Sequence, residues 1–181
     1  LDALSHDFEA IWNKNRNPVS TQYAIQAIKL IYENIDRVSE NTSYETRRNL
    51  IIASAYAGLA FSNTRTAAAH SMSYPLTLKY NIPHGIACSM PLKPLLDINY
   101  KLISYDICKI LYMLNIKDIV EFWDKIYSFL SNKIKFTLRE YGVSKKDLKW
   151  LASISSTKGR IENNIVDLER NDIYKILKSM Y

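Results

Sequence analysis

Glycine and proline are scarce in this 181-residue chain, with four of the first and five of the second. Long stretches therefore run without a turn residue, which argues for helices before any periodicity is considered. The shortage also excludes the glycine-rich strand-to-helix turn that cradles a dinucleotide's phosphates, since no segment of the chain supplies one. Cysteine is scarcer still. Cys88 and Cys108 form no CxxC pair, and two cysteines make no disulfide framework in a chain of this length, so a reducing, cytoplasmic compartment is expected. No uncharged apolar run approaches the roughly 20 residues of a membrane helix, and no signal-peptide pattern is present. No membrane partner is expected.

Positive charge is in excess, with a net +6 and a pI near 9.2. The lysines are spread over nearly every segment, and the densest knots, Arg47–Arg48 and Lys145–Lys146, are short. That distribution fits a solvated lysine-rich surface better than a nucleic-acid footprint, so no nucleic acid is expected. The chain opens LDALSHDFEA, with no initiator methionine and no loose lead-in before an amphipathic segment. We expect a fragment whose missing part precedes Leu1.

Apolar residues recur at helical spacing almost throughout. Leu4, Phe8, Ile11 and Trp12 share a face of a first helix from Asp2 to about Asn15. Ala24, Ala27, Ile28, Ile31, Ile35 and Val38 form the stripe of a second. Thr42 and Glu45 have the spacing of a capping box before a third helix to about Phe61, and Thr64 to Ala69 stays helical. Pro75 and Pro83 read as a bend between two helices. A further helix starts near His84, is disturbed by Pro91 and Pro94, and resumes from Asp97 to Leu114. Lys117 to Tyr141 is a helical stretch, Ser144 with Asp147 opens a shorter helix, and the last covers about Glu169 to Tyr181. No alternating strand pattern competes. The fold class is all-α, a multi-helix bundle of seven to nine helices in one domain over residues 1–181.

The chain holds three histidines, His6, His70 and His84. Asp2 precedes His6 by four positions, one turn along a helical face, where a carboxylate and an imidazole can share an ion. A solvated surface pair is the plainer reading. His70 ends an alanine-rich run and His84 lies 14 positions on, between Pro83 and Gly85. That pair is a clamp for a metal, or else one core histidine and one capping residue. Taken together, one carboxylate oxygen and three imidazole nitrogens suit Fe2+ or Zn2+. Cys88, four residues after His84, is a further donor, or simply a small core residue.

The segments DALSH, GLAFSN, AAAHSMSYPL and YNIPHGIACSMPL, in that order and separation, resemble the metal-binding helical domain of the iron-containing alcohol dehydrogenases. The likeness is specific from Leu1 to about Leu95 and continues weakly into NNIVDLERNDIYKILKSMY, similar to the family's closing helix. It implies the C-terminal domain of a dehydroquinate synthase-like fold, with Asp2, His6, His70 and His84 as ligands of Fe2+ or Zn2+. It further implies NAD(P)H, held by an N-terminal dinucleotide-binding domain that these residues do not contain, and an alcohol or aldehyde substrate. A homodimer is among the expected assemblies. Phe61 matches an aromatic residue lining the family's substrate and nicotinamide pocket. Many members carry a second histidine four residues after the first of the spaced pair, proposed to assist proton transfer; here that position is Tyr74, and a phenol's ordinary pKa of about 10 makes it a poor base at neutral pH.

SHDFEAIWNKNRNPVS and FSNTRTAAAHSMSYPLT are most similar to the branch that reduces phosphonoacetaldehyde. Arg65 precedes Thr66, and Thr66 stands one turn before His70, so a guanidinium there could grip a phosphonate, with Lys79 as a second cation. Surface charges or structural ion pairs are the plainer reading of Arg65 and Lys79. The alternatives to a phosphonate-directed enzyme are a glycerol- or polyol-type dehydrogenase of the same superfamily, and a helical metal-binding module without catalysis.

Overall fold

The computed structural model describes residues 1–131 and 133–181. Among them the chain forms nine α-helices: α1 (Asp2–Ile11), α2 (Pro18–Asn34), α3 (Tyr44–Thr64), α4 (Ala68–Tyr80), α5 (His84–Ser89), α6 (Leu92–Leu114), α7 (Ile119–Ser131), α8 (Leu148–Ile154) and α9 (Arg170–Ser179), with short 3-10 turns between some of them. Extended pairing among the described residues is limited to one antiparallel bridge, Asn13 with Asn164. No described helix is long and apolar enough to cross a membrane.

Helix α1 is the hub. Leu4, Phe8, Ile11 and Trp12 are fully buried, and α1 packs against α2, α3 and α5. Each such side chain contributes about 1.5–3 kcal/mol on leaving water. Phe8 stacks on Trp12 and Trp123 and meets the edge of Phe122, at centroid distances of 5.3, 5.5 and 5.7 Å. That aromatic knot fastens α7 to the hub. The end of α1 is held by the C-terminal segment, where Ile165 N donates to Trp12 O at 2.8 Å and Lys14 N to Asn163 O at 2.8 Å. The next helix starts where Asn17 accepts from Val19 N and Ser20 N at 3.0 Å, with Pro18 at its first position. Proline there sacrifices an N–H that has no helical partner anyway.

Several local expectations are corrected. Pro75 lies inside α4 rather than at a bend. An interior proline costs about 3 kcal/mol, and burial of Ala68, Ala69, Met72 and Leu76 offsets it, all four at zero exposure. The helix ends only at Asn81, in the left-handed region at φ 53°. Thr42 does not cap α3: Ser43 does, accepting from Thr46 N at 3.2 Å, while Thr42 Oγ1 donates to Ser39 O. Thr64 to Ala69 is not continuously helical, because Arg65 takes φ 65° and ψ 173° and separates α3 from α4. Pro94 sits in the first turn of α6, where it is tolerated. The stretch from Lys117 to Tyr141 is α7 plus a 3-10 turn at Arg139–Tyr141, and Asn132 within it lies outside the described residues.

Candidate metal centre

Three helix ends converge on one point. Asp2 opens α1, His70 lies in the first turn of α4, and His84 opens α5. The His70 Nε2 and Asp2 Oδ1 atoms are 3.5 Å apart, and His84 Nε2 is 3.7 Å from the same oxygen. His6 Nε2 lies 3.5 Å from the other carboxylate oxygen of Asp2. Donor atoms of Asp2, His70, His84 and Cys88 all fall within 4.8 Å of one another. His6 stands beside that group rather than in it, its ring stacked between Phe61 and His70 at 4.1 and 4.2 Å. Cys88, by sequence either a further donor or a small core residue, is both buried and part of the cluster.

The approach of α1 to α5 depends on Gly85. A Cβ built there would lie 3.2 Å from Asp2 N and 3.4 Å from Asp2 Cβ, so the glycine of the PHG sequence makes room for the aspartate that faces His84.

His70 is 2 % exposed and its orientation is set from α1. The Glu9 Oε2 atom lies 2.6 Å from His70 Nδ1 and accepts from Ala67 N at 2.8 Å, while Oε1 accepts from His70 N at 3.1 Å. One carboxylate thus satisfies free N–H groups at the start of α4, where negative charge is favoured, and holds the ring nitrogen that faces away from Asp2. This is the arrangement of a metal-ligating histidine with its supporting acceptor, and it leaves Nε2 to face the cluster. Sequence reading missed Glu9; the signal was a carboxylate beside Phe8 and Ala10 on a helix buried nearly all round.

Charge at the cluster favours a cation. The His6 and His70 imidazoles, each with Nε2 3.5 Å from an Asp2 oxygen, hold the Asp2 carboxyl far below the usual carboxylate range. At His70 burial opposes the proton, but Asp2 and Cys88 beside the ring and Glu9 on Nδ1 outweigh it and push the imidazole up to about 12. Burial pushes the Cys88 thiol up. Asp2 Oδ1, His6 Nδ1 and His70 Nε2 are buried polar atoms with no hydrogen-bond partner. Such atoms are costly unless something binds them. Tetrahedral donors about 2.0–2.2 Å from one ion stand roughly 3.3–3.6 Å apart; the Asp2–His70 separation of 3.5 Å falls in that range and the Asp2–His84 separation of 3.7 Å just beyond it. Donor type, spacing and unmet polar atoms all fit a divalent ion.

Two aromatic side chains border the centre. Phe61 covers His6 as above, and Tyr74 stacks on His84 at 6.2 Å while the Arg160 guanidinium lies over its ring, 4.8 Å from the centroid. Arg65 and Thr66 line one cavity with Phe61. Lys79 is exposed in the last turn of α4 and does not line it.

Known proteins share this architecture. The signature of the Fe-containing alcohol dehydrogenase family, C-terminal, matches residues 1–181. The 4-hydroxybutyrate dehydrogenase of Clostridium kluyveri is 29% identical over 191 residues, taking in 100% of this chain and 52% of that protein. The phosphonoacetaldehyde reductase of Streptomyces viridochromogenes is 35% identical over 101 residues, 55% of this chain and 26% of that protein. A solved 1,3-propanediol oxidoreductase superposes with a TM-score of 0.84 at 26% identity, over 99% of this chain and 50% of the other. The chain spans about half the length of relatives it matches throughout. These relatives differ in the substrates they are named for, so the likeness does not single out the phosphonate branch.

Proposed function

This chain belongs to the Fe-containing alcohol dehydrogenase family as its C-terminal domain, and from that premise we propose that it is the metal-holding half of an NAD(P)-dependent enzyme interconverting short aldehydes and alcohols. The observation that carries the reading is the convergence of Asp2, His70 and His84 donor atoms, with Asp2 Oδ1 and His70 Nε2 buried and unpartnered. Asp2, His6, His70 and His84 would hold the ion, His6 Nε2 standing 3.5 Å from the second Asp2 oxygen, with Cys88 as the neighbouring sulfur. Fe2+ and Zn2+ both suit this donor set. A divalent ion there supplies Lewis acidity toward a carbonyl oxygen.

The chain's own residues do the rest. Glu9 fixes the His70 ring, and Asp2 carries the negative charge that offsets the cation. Phe61 and Tyr74 wall the centre with ring faces, which excludes water from one side of a bound aldehyde. The Tyr74 hydroxyl offers a hydrogen bond to the substrate rather than a base. The overall conversion consumes an aldehyde, a hydride from NAD(P)H and one proton, and yields the alcohol and NAD(P)+. With no glycine-rich turn among these 181 residues, the dinucleotide is held by a domain outside them. Phosphonoacetaldehyde, expected from sequence, is one member of a substrate class of short aldehydes, to which 4-hydroxybutyrate and propanediol chemistry in relatives also belongs.

The test uses full-length protein loaded with Fe2+ or Zn2+ and assayed for NAD(P)H-dependent aldehyde reduction. His84→Ala should remove metal and activity together. Activity retained at normal metal occupancy would overturn the reading.

A further inference from the structure

Phe61 also lines a cavity of about 430 Å3 together with Arg65, Thr66, Lys158, Gly159 and Arg160 among others. Three of its lining side chains are cations and none is an acid. Among the described residues, no ion pair engages Arg65, Lys158 or Arg160. The nearest carboxylate along the chain, Glu162, accepts from Gly159 N at 2.5 Å. Positive charge is therefore concentrated here, and the nearest carboxylate along the chain is engaged by a backbone N–H rather than by one of the cations.

The cavity is also built rather than incidental. Arg160 is half-buried, donates to Thr66 Oγ1 at 2.8 Å and lies over the Tyr74 ring. One of its five N–H donors is thereby used to fix the guanidinium, which leaves others free for an anion. Arg65 is presented by a strained backbone: φ 65° is sparsely populated for a side chain and costs about 1–3 kcal/mol. The strain is pinned by fully buried Asn13, whose Nδ2 donates to Arg65 O at 3.1 Å, and by Arg65 N donating to Phe61 O at 2.7 Å. Gly159, at φ 79°, allows the turn that brings Lys158 and Arg160 to the same place. Phe61, which lines the cavity, stacks on His6, and Tyr74, which lies under Arg160, stacks on His84.

We propose that this cavity seats the anionic end of the substrate, so that the full-length enzyme prefers short aldehydes or alcohols bearing a terminal carboxylate, sulfonate or phosphonate over neutral ones of equal length. The inference rests on the metal-centre reading above and names the substrate class for it. Arg160 lies 4.8 Å from the Tyr74 ring centroid and that centroid lies 6.2 Å from the His84 ring, a separation on the scale of a molecule of a few carbons. Lys158 and Arg160 come from a loop far along the sequence, and nothing in the motifs around His70 and His84 foretold them.

The experiment compares kcat/KM for succinate semialdehyde and butanal with metal-loaded full-length enzyme, wild type and Arg160→Gln. Charge-assisted hydrogen bonds contribute enough that the wild-type ratio should favour the anion, and R160Q should lower that ratio on the order of 10- to 100-fold. Arg160→Lys, which keeps the charge, should recover part of it and guards against a folding defect. An unchanged ratio, or a wild type with no preference, overturns the proposal while leaving the metal-centre function standing. A raised KM for the nicotinamide cofactor with the ratio unchanged also overturns it, because the cations then serve dinucleotide phosphates. If neither aldehyde is reduced, the metal-centre function falls, and calorimetric titration with sulfate decides the cavity. Sulfate binding lost in R160Q sustains an anion site; no binding in wild type overturns it.

Discussion

The metal centre and the cation-lined cavity are neighbours of opposite design. One gathers anionic and neutral donors at the mouths of three helices, keeps His70 at 2 % exposure and leaves buried atoms unpartnered. The other gathers unpaired cations on loops, with Arg65 and Lys158 exposed and a strained backbone beneath. The first is organised to attract a cation and hold it rigidly, the second to attract an anion and let it leave. Phe61 and Tyr74 border both regions. A substrate with a carbonyl at one end and a negative charge at the other would use both.

The largest effect expected on the metal side is from His84→Ala. Removing a direct ligand should lower metal affinity by more than the roughly 100-fold upper end seen for outer-sphere partners, measured by competition with a chelator. Next is Glu9→Gln, which keeps the shape but withdraws the charge that orients His70; affinity should fall about 10- to 100-fold. If E9Q binds metal as wild type does, the His70–Glu9 pair is structural only.

Proton competition gives a third check. In the metal-free protein His70 keeps its proton up to about 12, so an ion taking Nε2 must release it. Apparent affinity should therefore fall as pH falls, by about tenfold per unit for one proton. Pulse-free equilibrium titrations across neutral pH would reveal the slope, and a flat profile would remove His70 from the ligand set. Gly85→Ala comes fourth. Its Cβ, 3.2 Å from Asp2 N, must push α1 from α5, with a loss of metal affinity about tenfold and little change in helical content by circular dichroism. The smallest effect belongs to Lys79→Gln, which touches neither region and should leave the anionic-to-neutral substrate ratio within about twofold, against the 10- to 100-fold loss on R160Q.

How much of this was legible in the sequence differs between the two regions for a physical reason. The metal centre is local in sequence: Asp2 and His6 are one turn apart, and His70 and His84 are joined by α4 and one tight turn. Spacing and residue type therefore raised the possibility beside plainer readings, and the family resemblance of the segments around His70 and His84 supplied the ligand set. The all-helical fold was readable for the same reason, because amphipathic periodicity in α1, α2 and α6 is a local property. Glu9 was not, since its partners Ala67 and His70 are brought to it only by tertiary packing. Pro75 misled because its cost is local while the burial that offsets it is not. The cavity was half-seen. Arg65 lies beside the motif, whereas Arg160 reaches Thr66 across 94 positions, a contact no periodicity encodes.

The most direct test of the metal centre is anomalous diffraction from crystals of metal-loaded full-length protein at the iron or zinc edge. The account predicts one peak per chain at about 2.0–2.3 Å from Asp2 Oδ1, His70 Nε2 and His84 Nε2. A peak elsewhere, or none at this junction in metal-replete crystals, would contradict it.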